Sequence, residues 1–219
     1  MITIDGPAGV GKSTVAKCLA TRLGYVYLDT GALYRAIAWK VQLEHLDPNN
    51  LACIQALLAR TDLRLMLSGD VLSIWVDGQA INQEVIRTPD ISQLASCIAA
   101  IQSVRDWLLP IQRKVIGKVG IIAEGRDMGT RVFPSADVKF FLDAELEIRA
   151  NRRQRELAQQ GKVIDLKTVR NDMAVRDDRD RTRMVDPLRP APEAIMIDTS
   201  RQSVEEVVGH MMQFIADRL

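Results

Sequence analysis

The run "GPAGVGKS" at residues 6–13 constrains this chain more than any other stretch. It follows the β-prone segment "MITID" and opens a helical pattern from Lys12 to Leu23, so the order is strand, glycine loop, helix. Gly6, Gly9 and Gly11 let the backbone curl until successive N–H groups converge on phosphate oxygens, and the following helix aims its positive end at the same point. Gly6, Pro7, Ala8, Gly9, Val10, Gly11, Lys12, Ser13 and Thr14 are therefore read as the segment that holds the phosphates of a nucleoside triphosphate. Lys12 would reach the β- and γ-phosphates, and the Ser13 hydroxyl would ligate Mg2+.

The rest of the chain alternates strand and helix. "YVYL" at 25–28, "VGIIAE" at 119–124, "VKFFLD" at 138–143 and "IMID" at 195–198 read as strands. Helical patterns cover 32–43, 51–60, the segment opened by Thr88 and Pro89, a further one to about Ile116, 144–160, 166–183 and the C-terminal segment. This alternation predicts an α/β fold with a parallel sheet covered on both faces. Residues 63–86 break the pattern: "LRLML", "VLSIWV" and "AINQEVI", separated by "SGD" and "DG", predict a small antiparallel insert. Ser103 with Asp106 and Ser203 with Glu206 have capping-box spacing, and Pro110 predicts a kink or break in its helix.

Composition narrows the functional classes. The 219 residues are 47% hydrophobic and 26% charged, an ordinary globular balance. Twenty-nine Lys and Arg against 28 Asp and Glu leave a net charge of +1, which argues against a protein that wraps a nucleic-acid polymer. Cys18, Cys53 and Cys97 are odd in number and widely spaced in apolar helical patterns, as expected of buried thiols in a reducing compartment rather than a metal cluster. His45 and His210 offer little for imidazole catalysis. With no targeting run after Met1 and no stretch approaching the length of a membrane span, a soluble cytoplasmic protein with no membrane partner is expected.

Charge is concentrated locally. "VRDDRDRTR" at 175–183 packs four arginines and three aspartates into nine positions. On a helix, Arg176, Asp180 and Arg183 continue the stripe of Val169 and Met173 and should enter a cleft, whereas Asp177, Asp178, Arg179 and Arg181 fall outside it as surface charges, with Asp177 spaced to pair with Arg181. "AEGRDMGTRVFP" delivers Glu124, Gly125, Arg126 and Asp127 at the carboxyl end of a buried strand, the edge where open α/β sheets bind ligands. In "DTGALYR", Thr30 starts a helix from which Tyr34 and Arg35 can reach the same cleft. Arg105, in the first turn of its helix, fits a surface position and a phosphate ligand equally well. Arg149, Arg152, Arg153 and Arg155 precede Gly161 and could bring positive charge over a transferring phosphoryl group as part of a mobile lid. No N-K-x-D guanine motif occurs, and the length suits a small-molecule or nucleotide kinase. A shikimate-type acceptor, or an ATP-binding interaction protein holding an acidic or RNA partner, would share these features.

In this order, "ITIDGPAGVGKST", "LDTGALYR", "EGRDMGTRVFP", "RDDRDRTR" with the "PL" that follows, and "IDTS" closely resemble the bacterial cytidylate kinases, P-loop nucleoside monophosphate kinases, over essentially the whole chain. The resemblance implies ATP- and Mg2+-dependent phosphorylation of CMP and dCMP by direct in-line transfer, in a monomer. It implies a P-loop NTPase-type five-stranded parallel core (1–30, 104–148 and 184–219), a monophosphate-binding region (31–103) enlarged by the insert at 63–86, and a short helical lid with adjoining helices at about 149–183. Thr30, Tyr34, Arg35, Ser96, Arg105, Arg126, Asp127, Arg176, Asp180 and Arg183 match residues that line the monophosphate site. Arg126, Asp180 and Ser96 would read the cytosine ring, with Asp180 also associated with the sugar hydroxyls; Arg105, Arg176 and Arg183 would lie nearer the phosphate or sugar. Lys12, Arg126, Arg176 and Arg183 would be catalytic, and Glu124 would hold Mg2+ through water.

Overall fold

The computed structural model describes residues 1–68, 71–114 and 120–218. Its centre is a five-stranded parallel sheet formed by β1 (Ile2–Asp5), β2 (Val26–Asp29), β6 (Ile121–Gly125), β7 (Val138–Asp143) and β8 (Ile195–Asp198), in the order β2-β6-β1-β7-β8. β1 pairs in parallel with β6 on one side and β7 on the other. The chain therefore leaves β1 toward one edge and later crosses to the opposite edge, and this reversal opens a crevice beyond the carboxyl ends of the central strands. β1 and β6 are buried along their whole length, which is why both read as unbroken apolar runs.

Helices α1 (Lys12–Leu23) and α9 (Val204–Ala216) cover one face, joining Ile2, Ile4, Phe140 and Leu142 in a shared core. Against Val26, Leu28, Ile121 and Ala123 on the sheet's other side pack Met128 and Val132 of a π-helical turn (Met128–Val132), together with Leu109 of α6 (Gln102–Arg113). A larger core joins α2 (Thr30–Leu43), α3 (Leu51–Arg60), α5 (Pro89–Ile98) and α6 to the insert. The remaining helices, α7 (Leu146–Gln159) and α8 (Leu166–Thr182), pack on each other through Ala150, Leu157, Val169 and Met173. No helix among the described residues is long and apolar enough to cross a membrane.

Local chemistry sets most boundaries. Thr88 caps α5 by accepting from the Ile91 amide, with Pro89 at the first helical position, and Ser203 with Glu206 forms a complete capping box for α9. In the insert, β3 (Leu63–Ser68) pairs antiparallel with β4 (Val71–Val76), and Asp77 and Gly78 turn the chain with φ of 51° and 80°, as a tight hairpin requires. The expected "SGD" turn includes residues 69 and 70, outside the described residues.

Several expectations need correction. "AINQEVI" is not a strand: only β5 (Gln79–Ala80) pairs with β4, after which Asn82 caps a helical turn, α4 (Gln83–Ile86). Ser103 does not cap α6, because Ile101 precedes its first turn and Asp106 accepts from the Gln102 side chain at 2.9 and 2.8 Å. Pro110 does not break α6, which runs on to Arg113: it lies on the exposed face, where water can satisfy the carbonyl that loses its helical donor. The final residues expected in that helix and Val119 of the expected strand lie outside the described residues. The three cysteines are free and half-buried rather than buried.

The site is fixed to this frame at Gly6, where φ is +150° and a Cβ would overlap the carbonyl oxygen of Leu142 on β7. Gly6→Ala should destabilise the fold by about 3 kcal/mol or more, combining backbone strain with overpacking. Urea unfolding checks this as a lower midpoint at unchanged slope.

Candidate phosphotransfer site

One cleft of about 630 Å³ opens beside the carboxyl ends of β1, β2 and β6. Ala8, Gly9, Gly11, Lys12, Ser13 and Thr14 of the glycine loop line it, and so does every residue expected on the acceptor side, from Thr30 to Arg183. Gly6, Pro7 and Val10 are buried behind the loop rather than facing the cleft. Gly9 and Gly11 have φ of +70° and +97°, and Gly11 precedes α1 without a side-chain cap, leaving that helix's first amides to an external acceptor. Lys12 Nζ donates to the Pro7 carbonyl at 2.6 Å. Burial, with Arg126 and Arg176 adding like charge, pushes the Lys12 pKa well down.

Beside the loop lies an excess of cations. Arg35 and Arg87 share Asp29, donating from Nη2 at 2.7 and 2.8 Å, while Asp29 also caps α2 through the Ala32 amide. Arg126 Nε donates to Asp180 at 2.9 Å. Burial alone would raise the Asp180 pKa, but Arg126, Arg176 and Arg183 hold it below the usual carboxylate value. Arg176 makes no ion pair among the described residues, and its buried Nε has no hydrogen-bond partner. Burial, then the neighbouring Arg126, lowers the Arg176 pKa to about 10.

Farther from Lys12 is a second cluster. Arg105 bonds Asp127, donates to Asp186 at 2.9 Å and to the Ala99 carbonyl at 3.1 Å, and lies 5.7 Å from the centre of the Tyr34 ring. Arg183 donates from Nε to the Asp186 carbonyl at 2.9 Å and stands 3.7 Å from Asp127. Ser96 Oγ donates to Asp180 at 3.2 Å. Arg105 is thus a buried cleft residue, which removes the surface alternative left open by its spacing.

At the end of β6, Glu124 accepts from the Tyr27 hydroxyl, and Thr30 Oγ1 donates to the Glu124 carbonyl oxygen at 2.7 Å. Burial, then the charge of Asp29, raises the Glu124 pKa. Such a carboxylate gains from a nearby cation, and with the adjacent Ser13 hydroxyl it supplies oxygen donors of the kind Mg2+ takes.

The arginines expected in the lid divide. Arg153 lines the cleft, Arg152 bonds Thr199, and Arg155 borders a separate small pocket. Arg149 is buried and pairs with Asp177. Asp177 is therefore not a surface partner of Arg181: helix α7 covers the face of α8 that periodicity left to solvent. Asp29 and Arg87 also line the cleft, and Tyr27 bonds Glu124 behind it, without any of the three having been singled out from the sequence. Asp29, directly before a helix, had capping potential as a signal, whereas Arg87 meets its partner 58 residues away and had none.

A parallel sheet, a phosphate loop at the switch of strand order, and a facing wall of arginines define a P-loop phosphotransferase. The family model for cytidylate kinase matches residues 2–217, and the chain belongs to that family. It is 42% identical over 214 residues to the cytidylate kinase of Carboxydothermus hydrogenoformans (strain ATCC BAA-161 / DSM 6008 / Z-2901), spanning 98% of this chain and 96% of that one. It is also 42% identical over 218 residues to the cytidylate kinase of Desulfitobacterium hafniense (strain Y51), spanning 100% and 93%. Among solved structures, an uncharacterized protein from Eubacterium ventriosum ATCC 27560 is similar in fold, with a TM-score of 0.52 at 15% identity over 99% of this chain and 98% of that one.

Asp5 adds a pH-sensitive element below the loop. It accepts from the Met128 and Gly129 amides, both at 2.8 Å, yet burial raises its pKa to about 7. The proton it holds stabilises the fold fully below the unfolded value of 3.8, and that contribution is lost as pH rises through about 7. A carboxyl ¹³C titration should place the Asp5 midpoint near 7, and Asp5→Asn should lose the corresponding decline in urea stability between about pH 4 and 7.

Proposed function

We propose that the chain transfers the γ-phosphoryl group of ATP to CMP and dCMP, giving CDP or dCDP and ADP. The observation that carries this reading is Arg176, a half-buried guanidinium whose buried Nε has no hydrogen-bond partner and which makes no ion pair among the described residues, set beside Arg126 and near the loop that holds Lys12. Such crowding is relieved by a phosphate dianion, and both reactants bring one.

An acceptor phosphate oxygen attacks the γ-phosphorus in line, forming a new P–O bond as the bond to the β-phosphate oxygen breaks. No protein nucleophile or strong base is needed, because alignment and charge neutralisation supply the catalysis. Lys12 and the loop amides would hold the donor, Arg126 and Arg176 would span the transferring group, and Arg153 would approach from the lid. Ser13 and Glu124 would hold Mg2+, Glu124 through water, and the ion would neutralise the phosphate oxygens of ATP.

The wall farther from Lys12 supports a reading of the base different from the one the resemblance implies. Cytosine presents one amino donor and two acceptors, O2 and N3, and Asp127 with Arg105 and Arg183 offers an acceptor beside two donors. We therefore assign Arg126 with Arg176 to the phosphate and Arg105, Asp127 and Arg183 to the base, with Ser96 orienting Asp180 between them. The insert and the helices that follow it would form the acceptor side, as the division at 31–103 anticipates.

ADP release with ATP, Mg2+ and a panel of CMP, dCMP, UMP and shikimate tests the assignment: CMP and dCMP should be used in preference, and exclusive use of shikimate would overturn it. Lys12→Ala should cut turnover by about 100-fold or more while leaving the fold intact, and near-normal turnover would refute the donor site. Asp127→Asn should narrow the CMP-over-UMP ratio of kcat/KM by about tenfold or more, since an amide can no longer present acceptors alone.

A further inference from the structure

Ala8, in the middle of the glycine loop, is held by side chains from both lid helices. Its carbonyl accepts from Arg149 Nη1 at 3.0 Å, and its amide donates to Asp177 Oδ1 at 3.3 Å. Arg149 and Asp177 are also paired with each other, only 5% and 7% exposed, and Arg149 Nε donates to the Ala144 carbonyl at 2.8 Å. The Ala8 methyl packs with Ala150, Leu157, Val169 and Met173. Next to it there is no room for a side chain, because a Cβ on Gly9 would stand 2.7 Å from Met173 Cε and 3.3 Å from the Arg149 carbonyl.

A buried ion pair is a weak source of net stability, since desolvation offsets most of the Coulomb attraction. What this one fixes is orientation. The peptide between Ala8 and Gly9 is planar and trans, so holding the Ala8 carbonyl toward Arg149 turns the Gly9 N–H the other way. Gly9 lines the cleft. The Asp177 bond similarly fixes the preceding peptide plane, so the pair sets two successive planes of a loop whose amides are its means of holding phosphate.

We propose that Asp177 and Arg149 are positioning residues for the donor phosphates: they hold the glycine loop in its binding shape and attach that shape to α7 and α8. Asp177 sits one residue from Arg176 and three from Asp180, so a single helix holds the donor loop with one face and the acceptor wall with the next. This inference rests on ATP as the ligand of the loop.

The test compares wild type, Asp177→Asn and Arg149→Lys by separate titrations with ATP and with CMP, by KM for each substrate, and by thermal melts. Arg149→Lys keeps the charge but cannot span the Ala144 carbonyl, the Ala8 carbonyl and Asp177 together, and it carries the test if Asp177→Asn fails to fold. The expected result is an ATP Kd and KM raised about tenfold or more, with CMP Kd and KM within about twofold of wild type. Folded variants that bind ATP as wild type does, whatever their melting temperature, would overturn the proposal. Failure of the wild type to bind ATP would instead overturn the donor assignment, and this inference with it.

Discussion

Repulsion among crowded cations organises this cleft. Lys12, Arg35, Arg87, Arg126 and Arg176 line one cleft, and the carboxylates beside them are Asp29, Glu124 and Asp180. Asp29 is divided between two guanidinium groups, Asp180 is held by Arg126, and Glu124 is engaged by Tyr27. Arg176 makes no ion pair among the described residues, and its pKa near 10 keeps it charged at neutral pH. Two unit charges of the same sign about 4 Å apart cost roughly 4 kcal/mol at an effective dielectric constant of 20. A phosphate dianion entering among them reverses the sign of that term, so the cleft is preorganised for an anion before substrate arrives.

Holding the cations together requires a rigid frame, and the sheet provides it. The close approach of Gly6 to Leu142 ties the start of the loop to β7, while the amides of Met128 and Gly129 close on Asp5 at the end of β1. The π-helical turn that follows gives Asp127 its place opposite Arg105, because the Val132 and Phe133 amides reach back to the Asp127 and Met128 carbonyls at 3.1 and 2.7 Å. Each charged wall is thus delivered by an element anchored to the sheet, so little conformational entropy remains to be lost when the ligand is gripped.

Most of this fold was legible because its signals are local or periodic. The glycine loop, the Thr88–Pro89 cap, the Ser203–Glu206 box and the apolar runs of β1 and β7 state their structures over a few residues. The stripe joining Val169 and Met173 to Asp180 and Arg183 was legible for the same reason, since a helix converts spacing into direction. What was missed depends on partners distant in sequence. Asp177 falls outside the stripe, and only the arrival of α7 turns its face into an interior. Arg87 offers no periodic cue, and its role appears only when the chain brings it back to Asp29. Ser103 and Asp106 show the opposite error: their spacing suits a capping box, but α6 begins two residues earlier, with Ile101 at the cap position.

The two arginine clusters differ in what they can discriminate. On the proposed assignment, Arg126 and Arg176 would face a group common to every nucleoside monophosphate and would contribute affinity and transition-state stabilisation without regard to the base. Arg105 and Arg183, by contrast, are tied to Asp127 and Asp186, and their donors point in fixed directions. A ring that exchanges cytosine's amino donor for a carbonyl would set an acceptor against the Asp127 carboxylate, and a buried mismatch of that kind is far more costly than a missing contact. Asp180 links the two clusters, accepting from Arg126 on one side and Ser96 on the other. On the proposed assignment, Asp180 would thus stand between the base-side and phosphate-side groups, with Ser96 fixing the carboxylate that orients Arg126.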